Sequence, residues 1–218
     1  MKKRLVVSFI LFILLTTIYP LQKISISDFS LKEIEIENNF LLEDKEIKKL
    51  LLPFYNKNLI SLNYSEIENA IMKNSFIESF KVKKKYPNNL KIKVFEKKPI
   101  AILYNEKKKF YLSEKIELFK FKNLDNYQNL PYVFGSRSEF EVLYNNLKKI
   151  NFPLDLVKKY IFFESNRWDL ETKDKKVIKL PNSNYINSLE NYLEIKNKDS
   201  FQKFFIFDYR IKDQLILK

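Results

Sequence analysis

From Leu5 to Leu21 the chain runs seventeen positions without a charge, directly after Met1-Lys2-Lys3-Arg4. As a helix rising about 1.5 Å per residue, this run reaches roughly 26 Å, slightly short of a ~30 Å hydrocarbon core. Snorkelling of Lys3, Arg4 and Lys23 covers the difference. The pattern predicts a single transmembrane helix over 5–21, anchored by Leu5, Phe9, Phe12, Leu15 and Leu21, with a tail at 1–4 and a linker at 22–28. The rival reading, a cleaved leader, needs small residues just before a cut. Tyr19-Pro20-Leu21-Gln22 offers none, and Ser25-Ile26-Ser27 lies late, behind Lys23. The basic start holds the N-terminus in the cytoplasm and sends the remainder across the membrane.

Beyond the linker the apolar period shortens to two. Leu31-Lys32-Glu33-Ile34-Glu35-Ile36-Glu37 alternates apolar with polar side chains and predicts a half-buried strand ending at Asn38-Asn39, where asparagine tolerates left-handed backbone. Glu43–Leu52 places Ile47, Leu50 and Leu51 at helical spacing, with Pro53 just past the end. A second helix over Tyr64–Lys73 follows from Ile67, Ala70 and Ile71; either Asn63 with Glu66 or Ser65 with Glu68 supplies its capping pair. Phe80, Val82 and Tyr86 then share one face of a strand. Pro87-Asn88-Asn89 turns the chain, and Leu90, Ile92 and Val94 line the return. The order strand, helix, helix, strand, strand closes near Glu96, a unit over 29–97 in which two helices cover a small sheet.

Residues 98–218 form the second expected domain. Strands are predicted at Ile100–Tyr104, Phe110–Leu112, Ile116–Phe121 and Leu130–Phe134, then a helix over Ser138–Ile150 carrying Phe140, Leu143, Leu147 and Ile150. Further strands follow at Tyr160–Phe163, Arg167–Glu171 and Lys176–Leu180, and a helix over Asn184–Ile195. Phe204–Tyr209 and Gln214–Lys218 suggest a terminal hairpin. The fold class is α+β, with the β-rich second domain flanked by helices and closed by a C-terminal edge strand.

Composition narrows the chemistry. The 218 residues include no cysteine and no histidine, which removes thiol nucleophiles, thiolate metal sites and the usual general base. A net charge of +13 would suit nucleic acid or an anionic surface. The lysines, however, alternate with apolar residues, as in Lys91-Ile92-Lys93-Val94, and belong on solvated strand faces. Ser200-Phe201-Gln202-Lys203 matches the Ser-x-x-Lys of penicillin-binding proteins, but its companion Lys-Thr-Gly strand is missing and Gly135 is the one glycine. Scattered Asp and Glu give no positional signal for glycan cleavage. No catalytic residue, cofactor or metal ligand is assigned, and Trp168 reads as core.

The segments 36–39, 76–77, 82–87, 90–94, 96–101, 130–135, 167–170 and 208–210, in this order after one N-terminal anchor, together resemble the FtsQ/DivIB family of bacterial cell-division proteins. Ile36-Glu37-Asn38-Asn39 is similar to that family's apolar-x-Gly-Asn strand ending, with Asn38 in the glycine place. Phe76-Ile77, Val82-Lys83-Lys84-Lys85-Tyr86-Pro87, Leu90-Lys91-Ile92-Lys93-Val94 and Glu96-Lys97-Lys98-Pro99-Ile100-Ala101 resemble its Trp-Ile, Val-Arg-x-x-Trp-Pro, Leu-x-Ile-x-Val and Glu-x-x-Pro-x-Ala. Leu130-Pro131-Tyr132-Val133-Phe134-Gly135, Arg167-Trp168-Asp169-Leu170 and Asp208-Tyr209-Arg210 are similar to its Leu-Pro-x-x-x-Gly, Trp-x-Leu and Asp-Leu-Arg.

The resemblance implies a POTRA domain (polypeptide-transport-associated fold) followed by a β domain, on the periplasmic side of the inner membrane at the division septum. It implies a non-enzymatic scaffold that binds the bitopic proteins FtsB and FtsL and links them to septal peptidoglycan synthases such as FtsW and FtsI. Arg210 and Ile211 inherit a partner-binding role from it. Gln214, Leu215, Ile216 and Leu217 form the candidate edge, where a partner strand can add, with the Ile216 N–H taken as an outward donor. The plainer alternative makes Arg210 a hairpin tie and Leu215 and Leu217 core. A transport role, as for POTRA units ahead of outer-membrane barrels, would need more than the roughly 120 residues after the first domain.

Overall fold

The computed structural model describes residues 2–16 and 29–218. Lys2–Thr16 form helix α1, 15 residues long, or roughly 22 Å of rise. Leu5, Phe9, Phe12 and Leu15 are exposed along it, and the Thr16 hydroxyl donates to the carbonyls of Phe12 and Ile13 at 3.0 and 2.9 Å. Among the described residues no helix is long and apolar enough to cross a membrane. The expected span continues through 17–21, including Leu21, which lies outside the described residues.

The chain divides into two compact units. The first comprises Met1–Asn38, Glu43–Lys73 and Phe80–Val94, and the second comprises Asn39–Leu42, Asn74–Ser79 and Phe95–Lys218.

The first unit is built on strands β1 (Glu33–Glu37), β2 (Ile77–Lys85) and β3 (Asn89–Glu96), with helices α2 (Asp44–Leu50) and α3 (Tyr64–Ile71) between β1 and β2. The sheet order is β1-β3-β2, and β1 runs parallel to β3 with Ile34 beside Leu90. Parallel pairing demands a crossover, which α2 and α3 supply. Ile34, Ile47, Ile67, Ile71, Leu90, Ile92 and Val94 are buried, as the two periods require. Asn63 caps α3, its side-chain oxygen accepting from the Ser65 N–H at 3.0 Å, while its expected partner Glu66 is engaged by Lys57 at 3.2 Å. Asn38 does take a left-handed backbone, φ 64°, and its amide donates to the Val94 carbonyl at 2.8 Å. The polar face of β1 meets lysine: Glu35 accepts from Lys85 at 2.6 Å, and Glu37 pairs with Lys91. These lysines are ion-paired on the sheet surface. Tyr86 departs from expectation; it is 57% exposed because it belongs to the β2–β3 turn, beyond the inward alternation of Phe80.

The second unit is one nine-stranded sheet. Its strands are β4 (Pro99–Asn105), β5 (Lys108–Ser113), β6 (Leu118–Lys120), β7 (Tyr132–Phe134), β8 (Val157–Phe163), β9 (Arg167–Thr172), β10 (Val177–Lys179), β11 (Ile206–Asp208) and β12 (Ile216–Leu217). They lie in the order β12-β11-β10-β9-β8-β7-β4-β5-β6. Helices α4 (Arg137–Lys149) and α5 (Tyr185–Ile195), with a short α6 (Asp199–Gln202), occupy the two helical crossovers. These link the parallel neighbours β7 to β8 and β10 to β11. Leu143, Leu147, Leu189 and Tyr192 from the helices pack with Val133, Tyr160, Leu170, Ile178 and Phe207 from the strands into one core. Trp168 joins that core at 5% exposure. Ile116 is no strand residue: it turns the chain with φ 58°, and β6 begins at Leu118.

Candidate functional site

The terminal hairpin builds the site. Among the described residues β12 has β11 as its only neighbour and forms one outer edge of the large sheet. Register places Leu217 beside Phe207 and Ile216 beside Asp208. Lys218 exchanges both backbone bonds with Ile206, 2.9 Å from the Ile206 N–H to the Lys218 carbonyl and 3.1 Å in return. In an antiparallel ladder, residues that exchange bonds alternate with residues whose backbone groups face outward. Ile216 therefore faces β11, and Leu217 turns its N–H and C=O to the open edge. The expectation that Ile216 offers the outward donor is corrected by one residue, because the register with β11, not the side-chain pattern, decides which amides face out.

Side chains follow the opposite logic. Leu215 and Leu217 are half-buried against the core beneath the helices. Ile216, also half-buried, sits on the other face of the sheet. Gln214 is exposed, and its N–H closes the turn on the Ile211 carbonyl at 3.2 Å. Ile211 is 50% exposed, an apolar side chain held in solvent beside the edge.

Arg210 is committed inside the hairpin, giving Nε and Nη2 to the two Asp208 oxygens at 2.8 and 2.6 Å. That hydrogen bonding holds the Asp208 carboxyl below its ordinary range, and the same pairing raises Arg210. Along the sheet Asp208 lies beside Lys179 of β10, and Lys179 lies beside Asp169 of β9. Asp169 is 8% exposed, and its Oδ1 has no hydrogen-bond partner. Burial pushes its carboxyl upward, with Lys179 and then Arg167 opposing.

A groove of about 510 Å³ opens beside this edge, lined by Asn187 and Asn191 of α5, then Tyr209, Arg210, Ile211 and Leu215. Tyr209 fixes its floor by donating from its hydroxyl to Asn191 Oδ1 at 2.9 Å. The candidate residues thus converge on one strand edge and one adjoining groove. Sequence reasoning missed the α5 wall; the repeated asparagines of 182–191 were the available signal. Among the described residues no group of three or more carboxylates gathers as a metal site.

Comparison with known proteins gives the following matches. Residues 29–97 match the family model "POTRA domain, FtsQ-type". The chain is 30% identical over 173 residues to a cell division protein FtsQ of Rickettsia bellii (strain RML369-C), covering 78% of this chain and 64% of that one. To the FtsQ of Rickettsia prowazekii (strain Madrid E) it is 29% identical over 203 residues, 92% of this chain and 73% of the other. A cell division protein DivIB of Clostridium tetani (strain Massachusetts / E88) is 30% identical over 106 residues, 48% of this chain and 39% of its own length. Among solved structures, the major extracytoplasmic domain of DivIB from Geobacillus stearothermophilus aligns with TM-score 0.35 at 16% identity, over 46% of this chain and 92% of that one. The chain spans about two thirds of the length of the Rickettsia proteins.

Proposed function

We propose that the chain is a member of the FtsQ/DivIB family of bacterial cell-division proteins and acts as a non-catalytic scaffold of the division machinery. It works at the septum, held in the inner membrane by the apolar run that begins at Leu5. Its N-terminus is cytoplasmic, and residues 29–218 lie in the periplasm as a POTRA domain and a β domain. Its partners are the bitopic proteins FtsB and FtsL, which it links to the septal synthase components FtsW and FtsI.

One observation carries the partner reading: the outer edge of β12, where the backbone of Leu217 faces outward and no further strand pairs. An extended partner segment gains main-chain hydrogen bonds by adding there, and its alternate side chains meet the flanking surfaces. Ile211, Gln214 and Leu215 border that added strand, and Arg210 holds the turn that presents them.

Because the chain has no cysteine, single-cysteine crosslinking tests this directly. Gln214→Cys in the full-length protein, co-expressed with FtsB and FtsL carrying scanned cysteines, should crosslink to every second residue of one short partner segment. Crosslinks repeating every three to four residues would reject strand addition in favour of a helix. No crosslink and no co-purification would reject these partners, and a tagged chain absent from the septum would reject the division role.

A further inference from the structure

The first unit has two ends, and the run of its elements decides which residues share each. β1 and β3 are parallel, so Phe29, the start of β1 and the Tyr86–Asn88 turn before β3 lie at one end. The segment 52–62, which follows α2, and Tyr64, which opens α3, return to that same end. Hydrogen bonds tie the pieces together. The Leu59 N–H donates to the Phe29 carbonyl at 2.8 Å, and the Lys32 N–H to the Asn88 carbonyl at 2.9 Å. Lys84 Nζ donates to the carbonyls of Ile60 and Leu62 at 3.1 and 2.8 Å. The Phe29 and Tyr86 rings meet edge-on with centroids 6.1 Å apart.

This end carries apolar side chains that the unit leaves in solvent. Ile60 and Tyr86 are each 57% exposed and Tyr64 51%. The Tyr64 ring stacks on Phe80 with centroids 5.4 Å apart. Lys32 and Lys57 are exposed at the same end. Two carboxylates share this end, Glu66 paired with Lys57 at 3.2 Å and Glu33 accepting from Asn89 at 3.1 Å. The opposite end of the unit holds the ends of β1 and β3, where Glu37 lies beside Lys93. It is the Phe29 end that the chain enters from α1.

We propose that this face, centred on Ile60, Tyr64 and Tyr86, docks on the lipid headgroups of the membrane that holds α1. Tyrosine, isoleucine and lysine on one tip are the composition an interface takes, apolar bodies at the headgroup boundary with hydroxyls and ammonium groups in water, and lysines drawn to anionic lipid. Distance permits the contact, since the seven residues 22–28 reach at most about 25 Å. The inference rests on the proposed membrane anchor.

The test uses the full cysteine-free chain in vesicles of phosphatidylethanolamine and phosphatidylglycerol containing nitroxide-labelled lipid. A fluorophore is placed in turn on Ser61→Cys beside Ile60, on Met72→Cys at the other end of the unit, and on Phe9→Cys in the helix. Docking quenches the Ser61 and Phe9 probes and leaves the Met72 probe bright. Adding Ile60→Ser with Tyr86→Ser then restores the Ser61 signal. Quenching at Phe9 with the Ser61 probe bright overturns the docking and keeps the anchor. Equal quenching at Ser61 and Met72 overturns it as unspecific adsorption. A bright Phe9 probe removes the anchor and the docking with it.

Discussion

Arg210 grips Asp208 through two parallel hydrogen bonds, and its own backbone N–H adds a third to Oδ1 at 3.1 Å. The Asp208 side chain is 9% exposed, the Arg210 side chain 40%. The pair thus ties the end of β11 to the loop that carries Ile211 and Gln214, and sets the approach to β12. For Arg210 this favours a positioning role, acting on a partner through the loop it holds.

Removing the guanidinium should therefore cost stability. Arg210→Ala leaves a nearly buried carboxylate with one backbone donor, a loss of about 1–2 kcal/mol after allowing for the exposure of Arg210. The sign with pH follows from the depressed Asp208 value. Stabilisation is complete above the unfolded carboxyl pKa of about 3.9 and fades as pH falls through the lower folded value. Thermal melts of the wild type and the variant should differ at pH 7 and converge in strong acid. A gap that stays constant into acid would assign the loss to something other than this ion pair.

Asp169 should behave in the opposite sense. Its folded pKa is raised by burial, so its favourable contribution is complete below about 3.9 and is lost as pH rises through the folded value. Asp169→Asn keeps the shape and removes the buried charge; it should be neutral or gain up to about 1 kcal/mol at pH 7, the gain vanishing in acid. A large loss at pH 7 would mean that the attraction of Lys179 outweighs desolvation.

Gly135 follows β7 where the chain passes close to β8. A Cβ there would stand 2.8 Å from the Phe162 Cβ and 3.3 Å from the Trp168 ring. Because the first contact is to a side-chain root and not a flexible tip, relief requires strand movement, and Gly135→Ala should cost about 1–3 kcal/mol. Trp168, the sole tryptophan, reports it: its emission should shift red as the indole loosens from Phe162, now 4.9 Å away. Unchanged emission and stability would show that the strands separate freely at this point.

The elements legible in the sequence are those whose evidence is local. Alternation marked β1, Asn38 marked its left-handed end, and the spacing of Phe140, Leu143 and Leu147 marked α4 as a buried-face helix. The parallel neighbours β4 with β7, β7 with β8 and β10 with β11 could not be read this way, since pairing between distant segments leaves no local period. Tyr86 continued an apolar alternation on paper, yet the turn at Pro87 takes it out of the strand. Within the candidate site the apolar pattern of 214–218 predicted an edge strand, of which the structure forms Ile216–Leu217. It left open whether Arg210 ties the hairpin, was silent on the wall that Asn191 makes with Tyr209, and put the outward amide at Ile216, one residue short of Leu217.

That last point yields the most discriminating substitution. Proline at 216 removes the N–H directed at β11 and should break the hairpin, costing about 1–3 kcal/mol for the unsatisfied partner. Proline at 217 removes an outward N–H and leaves the β11 ladder whole, as edge positions allow. Leu217 also packs on the core, so Leu217→Ala serves as the control for lost side-chain contact. Leu217→Pro should melt close to Leu217→Ala yet lose capture of FtsB and FtsL in co-purification, while Leu217→Ala retains it. Ile216→Pro should fail through instability first, visible as a lower melting point without any partner present. Equal capture by Leu217→Pro and Leu217→Ala would exclude main-chain pairing at this amide and move the interface to the Asn187–Asn191 groove.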